Sequence, residues 1–315
     1  ECTHYGAPLD EGMLRHGRIR CPWHQACFDA VSGDLEEPPA LDALSNFETK
    51  VEDGNVIVMV PDEMAISRVS DMSSYDPGRD DRTFVILGAG SAGNAAAETL
   101  RQSGYAGRIV MVTRDEELPY DRPDLSKRHL REGLKESPTL RSEEFYKEHD
   151  IEVLTEQEAV EVDFSERVVG FEDGQTLEYD KLLLATGGKP RTLPVPGSDL
   201  DGVFTLRTVA DANRINDAAD ESTKAVVVGA SFIGMETAAS LTENGLSVTV
   251  VAPESLPFER VFGEKVGRMY RDMHEDNGVQ LRLGNGIEKL EGDGRVEKVV
   301  LKDGDEIETD FVITG

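Results

Sequence analysis

The chain has 315 residues, of which 62 are acidic and 33 basic, for a formal net charge of −29. A polyanion of this size is not expected to bind nucleic acid or an anionic membrane surface, and its length allows two or three domains. It has no apolar run of membrane-spanning length and no signal-peptide pattern, so no membrane partner is predicted.

Two short segments near the start combine cysteine with histidine. Cys2 and His4 lie in CTH, and Cys21 and His24 lie in CPWHQACFD, which gives the spacing C-x-H-x16-C-x2-H. A zinc finger usually groups its cysteines in one hairpin and its histidines in a helix, whereas here each segment supplies one of each. That arrangement suits a [2Fe–2S] cluster with two thiolates on one iron and two imidazoles on the other. Zinc binding and chance proximity are the alternatives.

The residues around these four ligands resemble a Rieske [2Fe–2S] domain, through HYGAPL, CPWHQACFD, SGDLEEPPALDAL and VEDGNVIVMV. High-potential Rieske proteins join their cluster loops by a disulfide, and Ala7 and Trp23 occupy the corresponding positions. Ala26 stands where such proteins direct a serine hydroxyl at a cluster sulfur, so we expect a low potential of about −150 mV. Gln25 replaces the usual glycine of the ferredoxin-like loops, which puts the backbone conformation there in question.

The Rieske-like region is predicted to be a small all-β domain over residues 1–62. Residues 47–60 alternate in polarity around an Asp-Gly turn, as expected for a closing hairpin. Residues 63–81 are polar, acidic and without periodicity, which predicts an interdomain linker. Because Glu1 immediately precedes the first ligand, we expect the chain to be a fragment of a longer protein.

Residues 83–113 contain a strand, a G-x-G-x-x-G pattern, an Ala-rich helix and a second strand, which is typical of a dinucleotide-binding unit. Gly88 permits the tight turn, Gly90 lets a pyrophosphate approach the backbone, and Gly93 lets the helix pack closely against the strand. The free N–H groups at the start of the helix favour phosphate binding.

Residues 224–254 repeat this arrangement, with Gly229, Ser231 and Gly234 at the positions of the three glycines. Serine is small enough to allow a moderately close phosphate approach. Two such units predict two dinucleotides on one polypeptide. Between them, YDKLLLATGGKPR predicts a buried strand that ends at Thr186.

The choice between NADH and NADPH depends on the end of the second strand, where an acidic residue usually hydrogen-bonds a ribose. In the first unit Asp115 lies one step beyond Thr113 and Arg114, and in the second Glu254 lies two residues after Ala252. Since no basic residue is evidently placed to bind a 2′-phosphate, NADH is preferred.

Residues 82–315 resemble the FAD- and NAD(P)H-dependent ferredoxin reductases of the pyridine nucleotide–disulfide oxidoreductase superfamily. The shared segments are LPYDRPDLSK, EYDKLLLATGG, FTLRTVADA and GASFIGMETAA. With the Rieske-like region in front, the whole chain resembles the Rieske-fused branch related to apoptosis-inducing factor. No cysteine lies between residues 88 and 130, where disulfide reductases have a C-x4-C pair, so disulfide reduction is not expected.

This resemblance implies a multidomain fold in which the all-β Rieske domain is followed by α/β Rossmann-like domains. The FAD-binding domain is expected at 82–195 and the NAD(P)-binding domain at 196–312. Residues 313–315 are expected to begin the return to the FAD-binding domain, whose remainder is absent. The chain is therefore expected to be a fragment that lacks both terminal regions of a complete family member, and to bind FAD weakly.

The resemblance also implies roles for individual residues. Lys127 and Glu236 are the predicted catalytic residues, and both are expected to contact the cofactors where hydride is transferred to the flavin. The other predicted cofactor-binding residues are Gly88, Gly90, Ala92, Gly93, Arg122, Ala159, Thr186 and Arg207 for FAD, and Gly229, Ser231 and Gly234 for NAD(P)H. The predicted cluster ligands are Cys2, His4, Cys21 and His24.

The implied function is electron transfer from NAD(P)H through FAD and the [2Fe–2S] cluster to an external acceptor protein, such as an oxygenase or a cytochrome. Flavin can join a two-electron donor to a one-electron acceptor. The alternative is an NADH-responsive redox-sensing flavoprotein of the apoptosis-inducing-factor type.

The acidic excess is spread along the chain and is interpreted as a halophile-type surface, with a basic redox partner as the alternative. The small number of cysteines predicts that the protein is located in a reducing compartment, the cytoplasm.

Overall fold

The structure, a computed structural model, describes residues 1–63, 65, 67–136 and 138–315. They form two compact units. One comprises Glu1–Ser74 with Glu98–Ala106, and the other comprises Tyr75–Ala97 with Gly107–Gly315. Within these described ranges, no helix is both long and apolar enough to cross a membrane.

The first unit contains a 3-10 helix, Leu9–Glu11, and short antiparallel strands. The strands are β1 Met13–Arg15, β2 Arg18–Arg20, β3 Cys27–Asp29, β4 Leu35–Glu37, β5 Ala43–Leu44, β6 Thr49–Glu52, β7 Asn55–Val58 and β8 Ser67–Arg68. Strands β1 to β4 form one sheet in that order, β5 pairs with β8, and β6 pairs with β7. The core beneath them includes Cys2, Cys21, Ala26 and Phe28, so the two cysteine segments are part of the packed interior.

The predicted linker, residues 63–81, is partly structured. Its segment Ser67–Arg68 pairs with Ala43–Leu44 as a strand. Further along, the Ser73 N–H and hydroxyl both donate to the Arg101 carbonyl at 2.9 Å. The sequence could not indicate this because a two-residue strand produces no periodicity. Two positions of the linker, 64 and 66, lie outside the described residues.

The first dinucleotide-binding part of the chain, residues 83–184, contains the first glycine pattern. Its elements are β9 Thr83–Leu87, α1 Ser91–Gln102, β10 Arg108–Val112, the 3-10 helix Arg122–Ser126, α2 Arg128–Arg131, α3 Glu143–Glu148, β11 Ile151–Leu154, β12 Ala159–Asp163, β13 Val168–Phe171, β14 Thr176–Glu178 and β15 Lys181–Leu184. A parallel sheet has the order β11-β10-β9-β15, and β12 to β14 form an antiparallel sheet. Strand β10 is almost entirely buried, as expected for a parallel strand covered on both faces. The prediction of a buried strand ending at Thr186 was wrong: β15 ends at Leu184 and is mostly exposed, because it lies at the edge of the sheet.

The second part repeats this plan. Its elements are β16 Val203–Thr205, α4 Val209–Asp220, β17 Lys224–Val228, α5 Phe232–Glu243, β18 Ser247–Ala252, α6 Glu259–Asp276, β19 Gln280–Leu283, β20 Ile287–Glu291, β21 Lys298–Leu301, β22 Glu306–Glu308 and β23 Phe311–Thr314. The parallel sheet has the order β16-β23-β17-β18-β19, and β20 to β22 form an antiparallel sheet. Helix α6 is interrupted at Gly263, which has a φ of 78°.

The last strand corrects one predicted boundary. We expected the NAD(P)-binding domain to end at residue 312, but β23 continues to Thr314 inside its sheet. Ala225 pairs with Phe311 and Val228 pairs with Thr314. A short apolar run predicts a buried strand but does not identify the sheet that it joins.

The segment that contains the DRPDLSK motif packs against the second dinucleotide-binding part. Leu125 and Leu130 are buried in the same core cluster as Met235 and Leu241 of α5. The motif therefore lies against α5, although it follows the first dinucleotide-binding unit in sequence.

Candidate active site

The two glycine patterns have the same local geometry. Gly88 and Gly229 have φ values of 110° and 114°, in the region that favours glycine. A Cβ atom on Gly93 would lie 1.9 Å from the Gly88 carbonyl oxygen, and one on Gly234 would lie 2.1 Å from that of Gly229. In both units the third glycine thus allows the helix to lie directly against the turn.

Replacing Gly93 by alanine is expected to destabilise the protein by about 1–3 kcal/mol or more and to reduce the FAD that it retains, because the helix must move away from the turn. Gly170→Ala is the matched control, since its added Cβ would lie 3.7 Å from the Glu161 Cβ, an ordinary contact. Denaturant unfolding and flavin content after gel filtration measure both effects. Equal losses in the two variants would contradict this account of Gly93.

A cleft of about 350 Å³ opens at the carboxyl ends of β9, β10 and β15. Its lining contains six of the residues that the sequence assigned to FAD: Gly88, Gly90, Arg122, Ala159, Thr186 and Arg207. Ala92, Gly93 and Lys127 lie outside this lining, and Ala92 is exposed in the first turn of α1.

Two arginines give the cleft its electrostatic character. Burial, followed by the charge of Arg122, lowers the pKa of Arg207. Arg122 donates through Nη2 to the Tyr120 hydroxyl at 3.4 Å. Its Nε is buried and has no acceptor among the described residues. Two neighbouring guanidinium groups with an unmatched donor favour an anionic ligand, and the pyrophosphate of a dinucleotide has that charge. The cleft therefore fits FAD.

The cleft also contains residues that the sequence analysis did not assign. Glu117 lines it, and burial is the main cause that raises the pKa of this carboxyl group. Burial also raises the pKa of Tyr120, whose hydroxyl donates to the Asp115 carboxylate at 3.2 Å. Glu117 directly precedes the LPYDRP motif and Tyr120 belongs to it, which was the available signal, but the motif alone does not show which side chains face the cleft.

Lys127 and Glu236 are 109 positions apart and are in contact. The Lys127 Nζ donates to Glu236 Oε2 at 2.7 Å and to the Pro123 carbonyl at 2.9 Å. The two side chains are 46% and 30% exposed, so the pair is accessible to a ligand. The contact results from packing of the DRPDLSK segment on α5, and the role of the pair in hydride transfer stays a prediction.

The four predicted cluster ligands form two pairs. Cys2 and Cys21 are buried, and burial together with the neighbouring Cys21 thiol raises the pKa of Cys2. The imidazole rings of His4 and His24 have centroids 4.9 Å apart and meet edge to face. A Rieske cluster needs this pairing, because two thiolates bind one iron and two imidazoles bind the other.

Backbone amides surround the sulfur of the second loop. Burial acts to raise the pKa of the Cys21 thiol, but the N–H groups of His24 and Trp23, the Cys2 thiol and the Gln25 N–H together outweigh it, so the pKa is lowered. Donors around a sulfur favour its anionic, metal-bound form. Gln25 has a φ of 68°, the left-handed conformation that glycine adopts most easily, and its side chain donates to the Cys21 carbonyl at 3.2 Å. The substitution therefore preserves a glycine-like turn.

A single metal ion fits this site less well than a cluster. The zinc alternative requires all four ligands around a single ion. Each iron of a Rieske cluster takes only two protein ligands, which agrees with the two separate pairs.

Comparisons with known proteins agree with this geometry. Residues 82–315 match the family described as pyridine nucleotide-disulphide oxidoreductase, and residues 1–48 match the Rieske [2Fe-2S] domain. The chain belongs to the pyridine nucleotide-disulphide oxidoreductase family and contains a Rieske domain. These matches confirm the predicted fold class and the predicted cofactors, which are FAD, NAD(P)H and a [2Fe–2S] cluster.

Particular relatives share this organisation in whole or in part. Apoptosis-inducing factor 3 from Homo sapiens is 45% identical over 322 residues, which cover 100% of this chain and 53% of that protein. The ferredoxin–NAD(+) reductase subunit of the benzene 1,2-dioxygenase system from Pseudomonas putida is 38% identical over 219 residues, 70% of this chain and 53% of that protein. The crystal structure of a ferredoxin reductase from Rhodopseudomonas palustris superposes with a TM-score of 0.72 at 34% identity, covering 75% of this chain and 58% of that one. The chain spans about half the length of these curated relatives.

Proposed function

We propose that the protein is an NADH-dependent reductase that transfers electrons by way of FAD to its Rieske cluster and on to an external acceptor protein. The observation that carries the proposal is the 2.7 Å contact between Lys127 and Glu236. This contact joins the DRPDLSK segment, whose Arg122 lines the FAD cleft, to α5, the helix that follows the second glycine turn. The name of the Pseudomonas putida relative supports an acceptor in an oxygenase system.

The residues of the chain have distinct tasks in this function. Arg122 and Arg207 would hold FAD by offsetting its negative charge, and the glycine turns admit the two pyrophosphates. When bound, FAD supplies the ability to take up a hydride and release single electrons. Lys127 provides a positive charge where negative charge develops, and Glu236 holds its ammonium group in place. The small number of cysteines in the sequence, two of them predicted cluster ligands, is in keeping with a reducing compartment such as the cytoplasm.

The test is an anaerobic visible and EPR spectrum of the full-length protein before and after NADH is added. We expect the flavin absorption to bleach and the signal of a reduced Rieske cluster to appear. Flavin absorption without any cluster signal, after iron–sulfur reconstitution, would overturn the cluster assignment. Failure of NADH to bleach the flavin would overturn the reductase.

A redox-sensing flavoprotein is the second candidate, favoured by the 45% identity to apoptosis-inducing factor 3 over the whole chain. The two functions differ in turnover. Reduction of ferricyanide at many turnovers per second would support the reductase. Slow turnover with a long-lived complex of reduced flavin and NAD⁺ would support the sensor.

The preference for NADH rests on Glu254 and a neighbour that the sequence analysis did not identify. Glu254 Oε1 lies 3.3 Å from Nη2 of Arg260, in the first turn of α6. An acid at this position suits the ribose hydroxyls of NADH, while an arginine suits the 2′-phosphate of NADPH. In this ion pair the Arg260 guanidinium contacts the Glu254 carboxylate and is therefore not free for a 2′-phosphate, which supports NADH.

Glu254→Ser is expected to lower kcat/KM for NADH about tenfold and to raise kcat/KM for NADPH, because Arg260 is released to bind the 2′-phosphate. The double variant Glu254→Ser/Arg260→Ala should lose the gain for NADPH and keep the loss for NADH. Steady-state kinetics with both nucleotides measure these ratios. A nucleotide preference that is unchanged in Glu254→Ser would show that this acid does not contact the ribose.

A further inference from the structure

Ser126 lies at the centre of the contact between the DRPDLSK segment and α5. It is 4% exposed, and its Oγ donates to Glu236 Oε2 at 2.7 Å. Lys127 donates to the same oxygen at the same distance. The other acceptor near the Ser126 hydroxyl, the Pro123 carbonyl, is 3.4 Å away, so the carboxylate is the better partner.

Helix α5 holds Ser126 at two points. The Ser240 hydroxyl, itself buried, donates to the Ser126 carbonyl at 2.8 Å. Ser240 follows Glu236 by four residues, which places both side chains on the same face of the helix. Ser126 therefore receives a hydrogen bond at its backbone from one turn of α5 and donates one from its side chain to the preceding turn.

The two oxygens of Glu236 have different environments. Both Ser126 and Lys127 donate to Oε2, and none of the described residues donates to Oε1. A carboxylate held by two donors at one oxygen has a defined direction for its other oxygen. A lysine alone would hold it less firmly, because the Lys127 side chain is partly exposed and has several rotatable bonds.

We propose that Ser126 is a positioning residue for hydride transfer, which orients Glu236 so that Oε1 is available to the nicotinamide nucleotide. The inference rests on the proposed function. Ser126 touches neither cofactor in this account and acts through Glu236. Removal of its hydroxyl is expected to slow the reaction without removing the ion pair itself.

The experiment measures flavin reduction by NADH in a stopped-flow instrument with the full-length, FAD-loaded protein. Ser126→Ala should lower the limiting rate about tenfold, as expected for loss of one hydrogen bond to a charged group, and should retain its flavin. Asn244→Ala is the matched control, because it removes a hydrogen bond between the end of α5 and the same region, from Asn244 Nδ2 to the Leu130 carbonyl at 2.9 Å, without touching Ser126 or Glu236. It should keep a rate close to that of the wild type at a similar loss of thermal stability.

A double-mutant cycle separates positioning from a merely structural role. In a Glu236→Ala background, Ser126→Ala should have little further effect, since the carboxylate that it orients is gone. A tenfold loss in both backgrounds would overturn the inference, as would an unchanged rate in Ser126→Ala.

If Ser126→Ala fails to retain FAD, Ser126→Cys keeps nearly the same side-chain size with a weaker hydrogen-bond donor and should show the same loss of rate. If NADH reduces the flavin of the wild type normally and the rate of Ser126→Ala is unchanged, only this inference is overturned. If NADH does not reduce the flavin of the wild type, both this inference and the proposed function are overturned.

Discussion

Replacing His24 by alanine is expected to abolish the Rieske EPR signal while flavin reduction by NADH stays within about twofold of the wild-type rate. His24 pairs with His4 at a centroid separation of 4.9 Å, and an iron that needs two imidazoles cannot be held by one. Among the described residues, those that line the FAD cleft belong to the second unit and lie between Leu87 and Thr208. Loss of the cluster should therefore leave the flavin site intact.

The matched control is His16→Asn in the same unit. His16 is exposed at the turn between β1 and β2, where it has a φ of 50° and its Nε2 accepts a hydrogen bond from Arg15 at 3.1 Å. Asparagine tolerates this conformation. The control should keep two irons per chain and a full EPR signal. An intact cluster in His24→Ala, or loss of flavin reduction together with the cluster, would contradict the two-module interpretation.

Lys127→Ala and Glu236→Ala are each expected to slow flavin reduction on the order of 100-fold, and the double variant should be no slower than the slower single variant. In the proposed function, transfer of a hydride leaves negative charge on the flavin that the Lys127 ammonium group would stabilise. The carboxylate determines where that ammonium group lies, through the 2.7 Å contact. Once either partner is absent, the other loses most of its effect, so the two losses should not multiply.

A second ion pair provides the control for this cycle. Lys135 and Asp217 are 2.5 Å apart with side chains 54% and 70% exposed. Exposed pairs contribute little, about 0–1 kcal/mol, so neither Lys135→Ala nor Asp217→Ala should change the rate of flavin reduction appreciably. Rates that multiply independently in the Lys127 and Glu236 variants would show that the two residues do not act as a pair. Wild-type rates in both single variants would remove them from the mechanism.

The features that could be predicted from the sequence depend on short stretches of chain. The glycine turns are one example, because a φ of 110° at Gly88 and a 1.9 Å approach at Gly93 can be satisfied by few other residues. The cluster loops are another, since cysteine and histidine at fixed spacing have few alternative explanations. In both cases a local geometric or chemical demand restricts which residues can occupy the position, and the demand is therefore visible in the sequence.

Other features depend on residues that are distant in sequence. The short strand Ser67–Arg68 exists only because Ala43–Leu44 lies beside it. Strand β23 joins the second parallel sheet because its partners there are β16 and β17, which an apolar run cannot specify. The Arg260 contact to Glu254 depends on how α6 begins after β18.

By itself, the sequence determined that the chain has two cysteine–histidine loops and two glycine turns, and hence its class of cofactors. Only the tertiary structure decided how the residues of the candidate active site meet. Ser126 and Lys127 reach Glu236 because a segment that follows the first dinucleotide-binding unit packs its leucines into the core of the second. Such a contact spans more than one hundred residues and is specified by burial of apolar side chains, which leaves no periodic or spaced pattern at the contact itself.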